Sequence, residues 1–306
     1  MPTVFRFTQY GGPETQEFAE VDTPRPGPAE LLVRVRAAGV NPVDHKVRSG
    51  RFAANGAREL PSEFGSEISG VVEAIGSDVE GFSVGDEVFG WPAPGHGAFG
   101  EYTVTSVGTT AKKPPQLGFL DAAALPVAAA TAYDGVAQLG LSAGQTLLIT
   151  GIGGGVGVAA AQLARNDGIA VFGTGSEGKR ALVESLGATL IPYSDGLEQR
   201  IRQLLPDGVD AIFDLIGADA LAAVAGLVKD PARLISAADP TGVTRFGGAP
   251  IRRDRSVRVL DAVALLAAEG KLDPHVTQVV PFEQAPAAIA AVESGHPLGK
   301  VVLQVG

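Results

Sequence analysis

A cluster of five glycines, between an apolar segment and an alanine-rich segment, has the spacing of a ligand site. The glycines are Gly151, Gly153, Gly154, Gly155 and Gly157. Glycine permits a tight turn and a close backbone approach to a pyrophosphate, and the helix N-terminus that follows offers free N–H groups. The spacing is G-x-x-G-G-V-G, because Val156 stands where the common G-x-G-x-x-G pattern has its third glycine. We predict a dinucleotide site here, and the alternative is a glycine-rich turn without a ligand.

The residues after the second strand of this region distinguish the two nicotinamide dinucleotides. An acid at the end of that strand would bind the 2′-hydroxyl of NAD, but the position is Gly175. Ser176, Lys179 and Arg180 follow and can bind a 2′-phosphate, which predicts NADP. Glu177 supports the competing NAD interpretation, although an acid at the start of a helix is also an ordinary partner of the helix dipole.

Composition limits the classes of function. The 24 Lys and Arg residues against 34 Asp and Glu residues give a net charge of −10, which argues against nucleic acid and anionic membrane surfaces as partners. The chain has no cysteine, so it forms no disulfide, thiolate nucleophile or Cys-bound zinc site. It also lacks a signal-peptide core and any run of 18 apolar residues, and we therefore expect a cytoplasmic protein.

The elements that must position these residues fall into two types. The first 120 residues read as short strands separated by Gly, Pro and Asp, which predicts an all-β unit, a small barrel. From about residue 121, apolar strands alternate with helices, which predicts a parallel sheet covered on both faces. The final strand could return to the first domain. The predicted domains are 1–121 together with 256–306, and 122–255.

Seven sequence blocks in a fixed order resemble a known family. They are AGVNPVDHKVRSG, FGSEISGVVEAIG, VGDEVFG, GAFGEY, LPVAAATAY, GIGGGVG and PLGKVVLQV. The chain is similar to the medium-chain dehydrogenase/reductase superfamily, in particular its zinc-independent quinone oxidoreductase branch. The resemblance implies an α/β protein with a GroES-like β-barrel catalytic domain and a Rossmann doubly wound parallel-sheet domain that binds NADP.

The resemblance also implies that no metal is bound. Zinc enzymes of that superfamily hold a catalytic metal with Cys, His and Cys, and the matching positions here are Asp44, Ser66 and Val127. Asp44 with Glu67 is a poor zinc site, because zinc usually takes three or four N or S ligands.

The resemblance assigns site residues one by one. Asn41 and Asp44 would line the substrate pocket, and Thr131 would lie near the nicotinamide. By the resemblance, the cofactor contacts would be Gly154, Gly155, Val156, Ser176, Lys179, Tyr193, Ile235, Ser236 and Ala237. The residue pattern itself adds Gly153 of the glycine loop and Arg180. Three aromatics in predicted loops are candidate walls of the substrate pocket: Phe52, Trp91 and Phe246. The alternative is that they are core residues, which we expect of Phe52 more than of Trp91.

One segment departs from the family. Residues 239–258 are short, Gly-rich and Arg-rich where the family usually has another strand, often used in subunit pairing. We expect the arginines to form a solvated surface. A homodimer is predicted, but without this strand we do not expect it to pair in the family's usual way.

The lead hypothesis is an NADPH-dependent reductase of quinones or related conjugated carbonyls, with a small-molecule quinone or enone as substrate. The runner-up is a 2-alkenal or enoyl thioester reductase on the same scaffold. The rival class is a non-catalytic NADPH-binding protein, crystallin-like or RNA-binding. Tyr133 and His45 are the candidate proton donors, with water as the alternative.

Overall fold

The computed structural model of the protein describes residues 1–53, 58–295 and 297–306. The chain divides into two compact units. The first comprises Met1–Val127, Arg255–Ala268 and His275–Gly306, and the second comprises Ala128–Asp254 and Glu269–Pro274. The division rests on compactness alone, so the domain boundaries predicted from the sequence remain predictions. None of the helices in the described part of the chain combines the length and the apolar character needed to cross a membrane.

The first unit is built from two antiparallel-rich sheets. Its strands are β1 (Thr3–Phe7), β2 (Gln16–Glu20), β3 (Glu30–Val40), β4 (Ser62–Glu63), β5 (Ile68–Ile75), β6 (Glu87–Pro92), β7 (Tyr102–Lys112), β14 (Val276–Pro281) and β15 (Lys300–Gln304). One sheet has the order β2-β1-β4, and the other has the order β14-β15-β3-β5-β6-β7. β3 also pairs with β7, which closes the four strands β3, β5, β6 and β7 into a small barrel.

The last strand of the chain returns to this unit. β15 pairs antiparallel with β3, with Val301 opposite Val40 and Leu303 opposite Ala38. This pairing brings Lys300, at the start of β15, beside the end of β3. An apolar core that includes Phe5, Phe7, Phe64 and Phe99 lies beneath the strands.

In the described part of the first unit, four helices accompany the strands. They are α1 (Pro42–Arg48), α2 (Phe119–Ala123), α8 (Val257–Ala268) and α9 (Ala285–Glu293). α1 begins with Pro at its first position, where the missing N–H has no intrahelical partner to lose. Asn41, in extended conformation, is therefore the N-cap residue and lies directly after β3.

The second unit is a doubly wound parallel sheet. Its strands are β8 (Thr146–Thr150), β9 (Ala170–Gly175), β10 (Thr189–Pro192), β11 (Ala211–Asp214), β12 (Leu234–Ser236) and β13 (Ala249–Pro250), and its helices are α3 (Ala130–Leu139), α4 (Gly155–Asn166), α5 (Arg180–Ser185), α6 (Leu197–Leu204) and α7 (Ala218–Ala225). The order β10-β9-β8-β11-β12-β13 is the 3-2-1-4-5-6 order of dinucleotide-binding sheets. The predicted fold class, a β-barrel domain with a doubly wound parallel-sheet domain, is confirmed.

Two local predictions need correction. The sequence LDAAALPVAAATAYDGVAQLG, from residue 120, has a helical pattern throughout, but a wider π turn at Leu125–Ala129 separates α2 from α3. Pro126 lies in that turn and cannot donate a helical hydrogen bond. Residues 239–258, which depart from the family's strand pattern, still form the two-residue strand β13, and it pairs in parallel with β12.

Candidate functional site

The glycine loop of the second unit has the geometry of a phosphate-binding turn. Gly151 has a φ of +69°, which favours glycine, and a Cβ there would come within 2.7 Å of Ile216 Cδ1. Gly154 is the N-cap residue of α4 in extended conformation. The first N–H groups of α4 have no intrahelical acceptor, so they can donate to an anion bound at this end.

Gly157 has a different role in the same loop. A Cβ at Gly157 would come within 2.6 Å of Ile152 Cα. Glycine is therefore required for close packing of α4 against the loop, and this explains the spacing in which a glycine follows Val156.

Lys179 lies across the glycine loop. A Cβ added at Gly153 would overlap the Lys179 side chain at Cδ, and one added at Gly175 would lie 3.9 Å from the same atom. The aliphatic part of Lys179 therefore packs on Gly153 and near the end of β9. Burial lowers the pKa of Lys179 from its ordinary value.

The end of β9 brings further predicted cofactor residues together. Tyr193 N donates to Gly175 O at 2.8 Å, and the Tyr193 side chain is 54% exposed. Ser176 is exposed and begins the 3-10 turn Glu177–Lys179. Gly175, Ser176, Lys179 and Tyr193 thus surround one strand end.

Arg180 is engaged elsewhere. Its guanidinium binds Glu177, with Nη2 3.0 Å from Oε2, and binds Glu184, with Nη1 2.9 Å from Oε1. The bond to Arg180 lowers the pKa of the Glu177 carboxyl. Arg180 and Glu177, the residues predicted for NADP and for the NAD alternative, are therefore paired with each other in this structure.

Three of the predicted cofactor contacts lie at the end of β12 and differ in accessibility. Ile235 and Ser236 are buried, and Ala237 is exposed. Ser236 Oγ donates to Asp214 Oδ2 at 2.6 Å, so the Ser236 side chain faces the sheet interior. Any contact that Ser236 makes with a cofactor must come from its backbone.

Asp214, at the end of β11, is a buried residue that the sequence analysis missed. Its Oδ1 accepts from Thr150 Oγ1 at 2.7 Å, from Gly217 N at 3.0 Å and from Ile216 N at 3.2 Å. With Ser236 on Oδ2, the carboxylate joins the ends of β8, β11 and β12. These strand ends carry the glycine loop and Ala237, so Asp214 holds the predicted cofactor residues in place.

Thr131, predicted near the nicotinamide, also has an unexpected partner. Arg253 Nη1 donates to Thr131 Oγ1, and Arg253 Nε donates to Asp134 Oδ2 at 2.9 Å. Asp254 N donates to the same Asp134 oxygen at 3.0 Å. The arginines of this segment were expected to be solvated, and that is wrong for Arg253 because it pairs with the buried Asp134.

In the first unit, the predicted pocket residue Asn41 belongs to a buried polar cluster. Asn41 Nδ2 donates to Glu67 Oε1 at 2.7 Å, and Lys300 Nζ donates to Asn41 Oδ1 at 2.7 Å. Lys300 Nζ also donates to Glu67 Oε1 at 2.6 Å. Val127 N donates to Glu67 Oε2 at 2.7 Å, and Asn41 N donates to Asp44 Oδ2 at 2.8 Å. We call Asn41, Asp44, Glu67 and Lys300 the polar cluster.

The sequence analysis did not assign a role to Lys300. The only signal for it was a single lysine at the start of an apolar terminal strand, within the block PLGKVVLQV.

The pKa of the Asp44 carboxyl is raised. Burial raises the pKa of its carboxyl to about 7, and the charge of Glu67 adds to this rise. The hydrogen bond from Asn41 N and the charges of Lys300 and Arg58 act in the opposite direction. A carboxyl with such a pKa can hold or release a proton near neutral pH.

The donor set of the cluster does not fit a zinc ion. Lys300 Nζ, a cation, already lies on the Glu67 oxygen, and Val127 N donates to the other oxygen. Ser66 offers one hydroxyl and Asp44 one carboxylate, where zinc takes several N or S ligands. Within residues 1–53, 58–295 and 297–306, no three His, Asp or Glu side chains are grouped to hold a metal.

The exposure of the three candidate pocket aromatics is not the one expected from the sequence. Trp91 lies in β6 and is 8% exposed, whereas Phe52 is 41% and Phe246 is 39% exposed. The expectation that Phe52 is more core-like than Trp91 is wrong, because a strand of the barrel carries Trp91 inward. The pocket role of all three stays a prediction.

The two candidate proton donors from the sequence, His45 and Tyr133, differ in their contacts. His45 Nδ1 lies 3.8 Å from Glu293 Oε1, and burial lowers the pKa of His45. Tyr133 is partly buried on α3.

Comparisons with known proteins agree with this architecture. The family described as "Alcohol dehydrogenase GroES-like domain" matches residues 27–115, and "Zinc-binding dehydrogenase" matches residues 186–303. The zinc in the second description is not supported by the donor set given above.

Individual relatives cover nearly the whole chain. The 2-methylene-furan-3-one reductase of Solanum lycopersicum is 33% identical over 97% of this chain and 77% of its own length. The chloroplastic NADPH-dependent alkenal/one oxidoreductase of Arabidopsis thaliana is 32% identical over 97% of this chain and 78% of its own. The solved quinone oxidoreductase of Coxiella burnetii has a TM-score of 0.90 and 29% identity, and it covers 100% of this chain and 99% of its own.

The barrel, the dinucleotide-binding sheet and these similarities agree on one family. The chain belongs to the medium-chain dehydrogenase/reductase superfamily, in its quinone oxidoreductase branch, and is an oxidoreductase that binds a pyridine nucleotide.

Proposed function

We propose that this protein reduces conjugated carbonyl compounds, quinones and α,β-unsaturated ketones or aldehydes, with NADPH as the reductant. The observation that carries the proposal is the buried Lys300 ammonium on Glu67, in the cluster where zinc enzymes of the superfamily have a metal. An alcohol must form an alkoxide before it is oxidised, which a metal favours. A conjugated acceptor spreads the developing charge over several atoms and needs only a hydrogen-bond donor.

Bound NADPH would supply the hydride, while the protein supplies orientation and electrostatics. Asn41 donates one amide N–H to the carbonyl oxygen of the acceptor, which becomes partly negative. Asp44 lies against Asn41, with Asn41 N 2.8 Å from its Oδ2, and burial raises its pKa to about 7, so we propose Asp44 as the source of the proton that the reduced acceptor takes up. Two relatives named for the reduction of a furanone and of alkenals support conjugated carbonyls as the substrate class.

The preference for NADPH rests on the end of β9. Gly175 provides no carboxylate for a 2′-hydroxyl, and Lys179 lies over the same strand end. Glu177, the acid of the NAD alternative, is paired with Arg180. We therefore expect Lys179, with Ser176 and Tyr193, to bind the 2′-phosphate, and Gly153, Gly154, Gly155 and Val156 to bind the pyrophosphate.

The cofactor proposal is tested by Lys179→Met, with Lys229→Met as the control. A charge-assisted phosphate contact contributes about 1.5–3 kcal/mol, so the Kd for NADPH should rise by roughly 10- to 150-fold and that for NADH should stay nearly constant. Lys229 pairs with Asp210 on the surface, and its variant should change neither. Equal weakening of both cofactors in Lys179→Met would contradict the 2′-phosphate role.

The substrate proposal is tested by NADPH consumption with a panel of quinones, enones, enals, enoyl thioesters and simple alcohols or ketones. Turnover of quinones or enones, reduced in Asn41→Ala at unchanged NADPH affinity, would support the proposal. A matched control is Asn166→Ala, since the Asn166 amide donates to the backbone of Lys271 in the second unit.

Other outcomes of the panel select the alternatives. Activity restricted to enoyl thioesters would replace the proposal by an enoyl reductase. Tight NADPH binding without any turnover would favour the non-catalytic class, for which an RNA mobility-shift assay is the next measurement. A cytoplasmic location and a homodimer belong to the same proposal, and cell fractionation and light scattering test them.

A further inference from the structure

The polar cluster contains a closed ring of three side chains. Glu67 Oε1 accepts from Lys300 Nζ at 2.6 Å and from Asn41 Nδ2 at 2.7 Å, and Lys300 Nζ donates to Asn41 Oδ1 at 2.7 Å. Each side chain therefore binds both others. Asn41 is 4% exposed, Lys300 is 3% exposed and Glu67 is fully buried.

The ring allows one orientation of the Asn41 amide. A 180° flip would place the amide NH₂ against the Lys300 ammonium and the amide oxygen against the Glu67 carboxylate. Both contacts would be repulsive and would leave buried polar atoms unsatisfied, which is costly. Lys300 and Glu67 together thus fix the direction of both amide N–H bonds.

One of those N–H bonds retains donor capacity. An asparagine amide carries two donors, and Glu67 takes one of them. The other contact of Nδ2 in the described part of the chain is to Gly39 O at 3.4 Å, longer than the usual range of about 2.7–3.2 Å. Lys300 on Oδ1 draws electron density toward the oxygen and so strengthens the amide as a donor.

The surrounding backbone is shaped for this ring. A Cβ at Gly39 would overlap Glu67 Oε1 and come within 2.7 Å of Ala123 O, so only glycine admits the Glu67 side chain there. The other Glu67 oxygen is held by Val127 N. The pairing of β15 with β3 places Lys300 beside the end of β3, the strand that carries Gly39.

A buried ion pair is a poor device for stability alone, because the cost of removing two charges from water offsets much of their attraction. We propose that Glu67 and Lys300 are positioning residues for the reduction, which orient the Asn41 amide so that its second N–H meets the acceptor oxygen. This inference rests on the proposed function of Asn41.

The main test is the double variant Glu67→Gln/Lys300→Met, which removes both charges together and should still fold. A glutamine at 67 has a single acceptor oxygen for Asn41 and Val127, so the amide orientation is no longer fixed. We expect kcat for a quinone or enone to fall by about 10- to 100-fold. Complete loss of an oxyanion donor lowers kcat by about 100- to 1,000-fold, and here the donor is misoriented and not removed. The Kd for NADPH should stay within about twofold of the wild-type value, and a urea unfolding transition close to that of the wild type shows that the first unit, which carries both substitutions, is folded.

Lys113→Met is the matched control. Lys113 is also a buried lysine of the first unit, it pairs with Glu87 at 2.8 Å, and it donates to Leu117 O at 2.6 Å. Its variant removes a buried ammonium without touching Asn41, so it should leave kcat unchanged.

Action through Asn41 is tested by adding the double variant to Asn41→Ala. If Glu67 and Lys300 act by orienting the amide, the triple variant should have the same kcat as Asn41→Ala. Multiplied losses, or a folded double variant with wild-type kcat, would overturn the inference.

The two failures are distinguishable. If the wild-type protein reduces no member of the panel, the proposed function fails. If the wild type turns over and Asn41→Ala is impaired while the double variant is not, the proposed function stands and the positioning role is refuted.

Discussion

The two compact units each bury a carboxylate completely, and the partners of the two carboxylates differ in charge. In the second unit, Asp214 accepts from two hydroxyl groups and two backbone N–H groups. In the first, Glu67 accepts from the Lys300 ammonium, the Asn41 amide and Val127 N. Neutral donors suffice to anchor strand ends, whereas the polar cluster places a cation against Asn41, the side chain that we propose as the donor to the substrate.

We expect the largest loss of unfolding free energy for the single variant Lys300→Met. It leaves the Glu67 carboxylate buried without its cation, which costs about 3–5 kcal/mol of unfolding free energy. Adding Glu67→Gln should recover most of this loss, because no uncompensated charge remains. Urea unfolding of the two variants measures the difference, and equal loss in both would show that packing, and not charge, dominates the cluster.

The next prediction concerns the pH dependence that Asp44 adds to the first unit. Its carboxyl pKa is about 7 in the folded protein against an ordinary value of 3.8, so the folded state binds more protons between these values. Stability must then fall as the pH rises from about 4 to 7, by up to about 4 kcal/mol from this group.

Asp44→Asn should remove that fall, because asparagine does not ionise and its oxygen can still accept from Asn41 N. Urea unfolding at pH 5 and pH 8 provides the measurement: the stability of the variant relative to the wild type should increase from pH 5 to pH 8 by about 2–3 kcal/mol. If Asp44 supplies the proton as proposed, the rate of reduction should also decline above pH 7 in the wild type, since its carboxyl is then ionised. Parallel stability profiles for variant and wild type would contradict the raised pKa.

The same two regions show what the sequence could and could not predict. The glycine loop, the strand before it and the helix after it lie within residues 146–166, so local spacing predicted them. Asn41 was predicted to line the substrate pocket, but its partners Glu67 and Lys300 lie 26 and 259 residues away. The return of the final strand to the first domain was anticipated from the sequence, but no local pattern encodes the register of β15 against β3 that sets Lys300 beside Asn41.

Two further features were hidden for related reasons. Asp214 follows an apolar strand, where an acid can equally be a loop residue, and only the meeting of three strand ends shows its role. Arg253 lies in an arginine-rich segment that reads as solvated, and its pairing with Asp134 over 119 residues changes that interpretation.

The smallest of the expected losses is that of Asp214→Asn. If the asparagine oxygen replaces Oδ1, it still accepts from Thr150, Ile216 and Gly217, but its NH₂ group faces Ser236 Oγ. That hydroxyl already accepts from Asp239 N at 2.8 Å and from Ala238 N at 3.2 Å, so it loses its acceptor and gains a crowded donor.

One charge-assisted bond is lost in this variant, which should lower the free energy of unfolding by about 2–3 kcal/mol. Because Asp214 holds strand ends and not a 2′-phosphate, the affinities for NADPH and NADH should weaken by the same factor, unlike in Lys179→Met. The control Asp219→Asn, on the exposed side of α7, should cost less than about 1 kcal/mol through the helix dipole. Titration of both cofactors against both variants provides the measurement. If Asp214→Asn weakened the affinity for NADPH and left that for NADH unchanged, Asp214 would act on the 2′-phosphate region. Asp214 and Glu67 would then differ in where they act, and not in the charge of their partners.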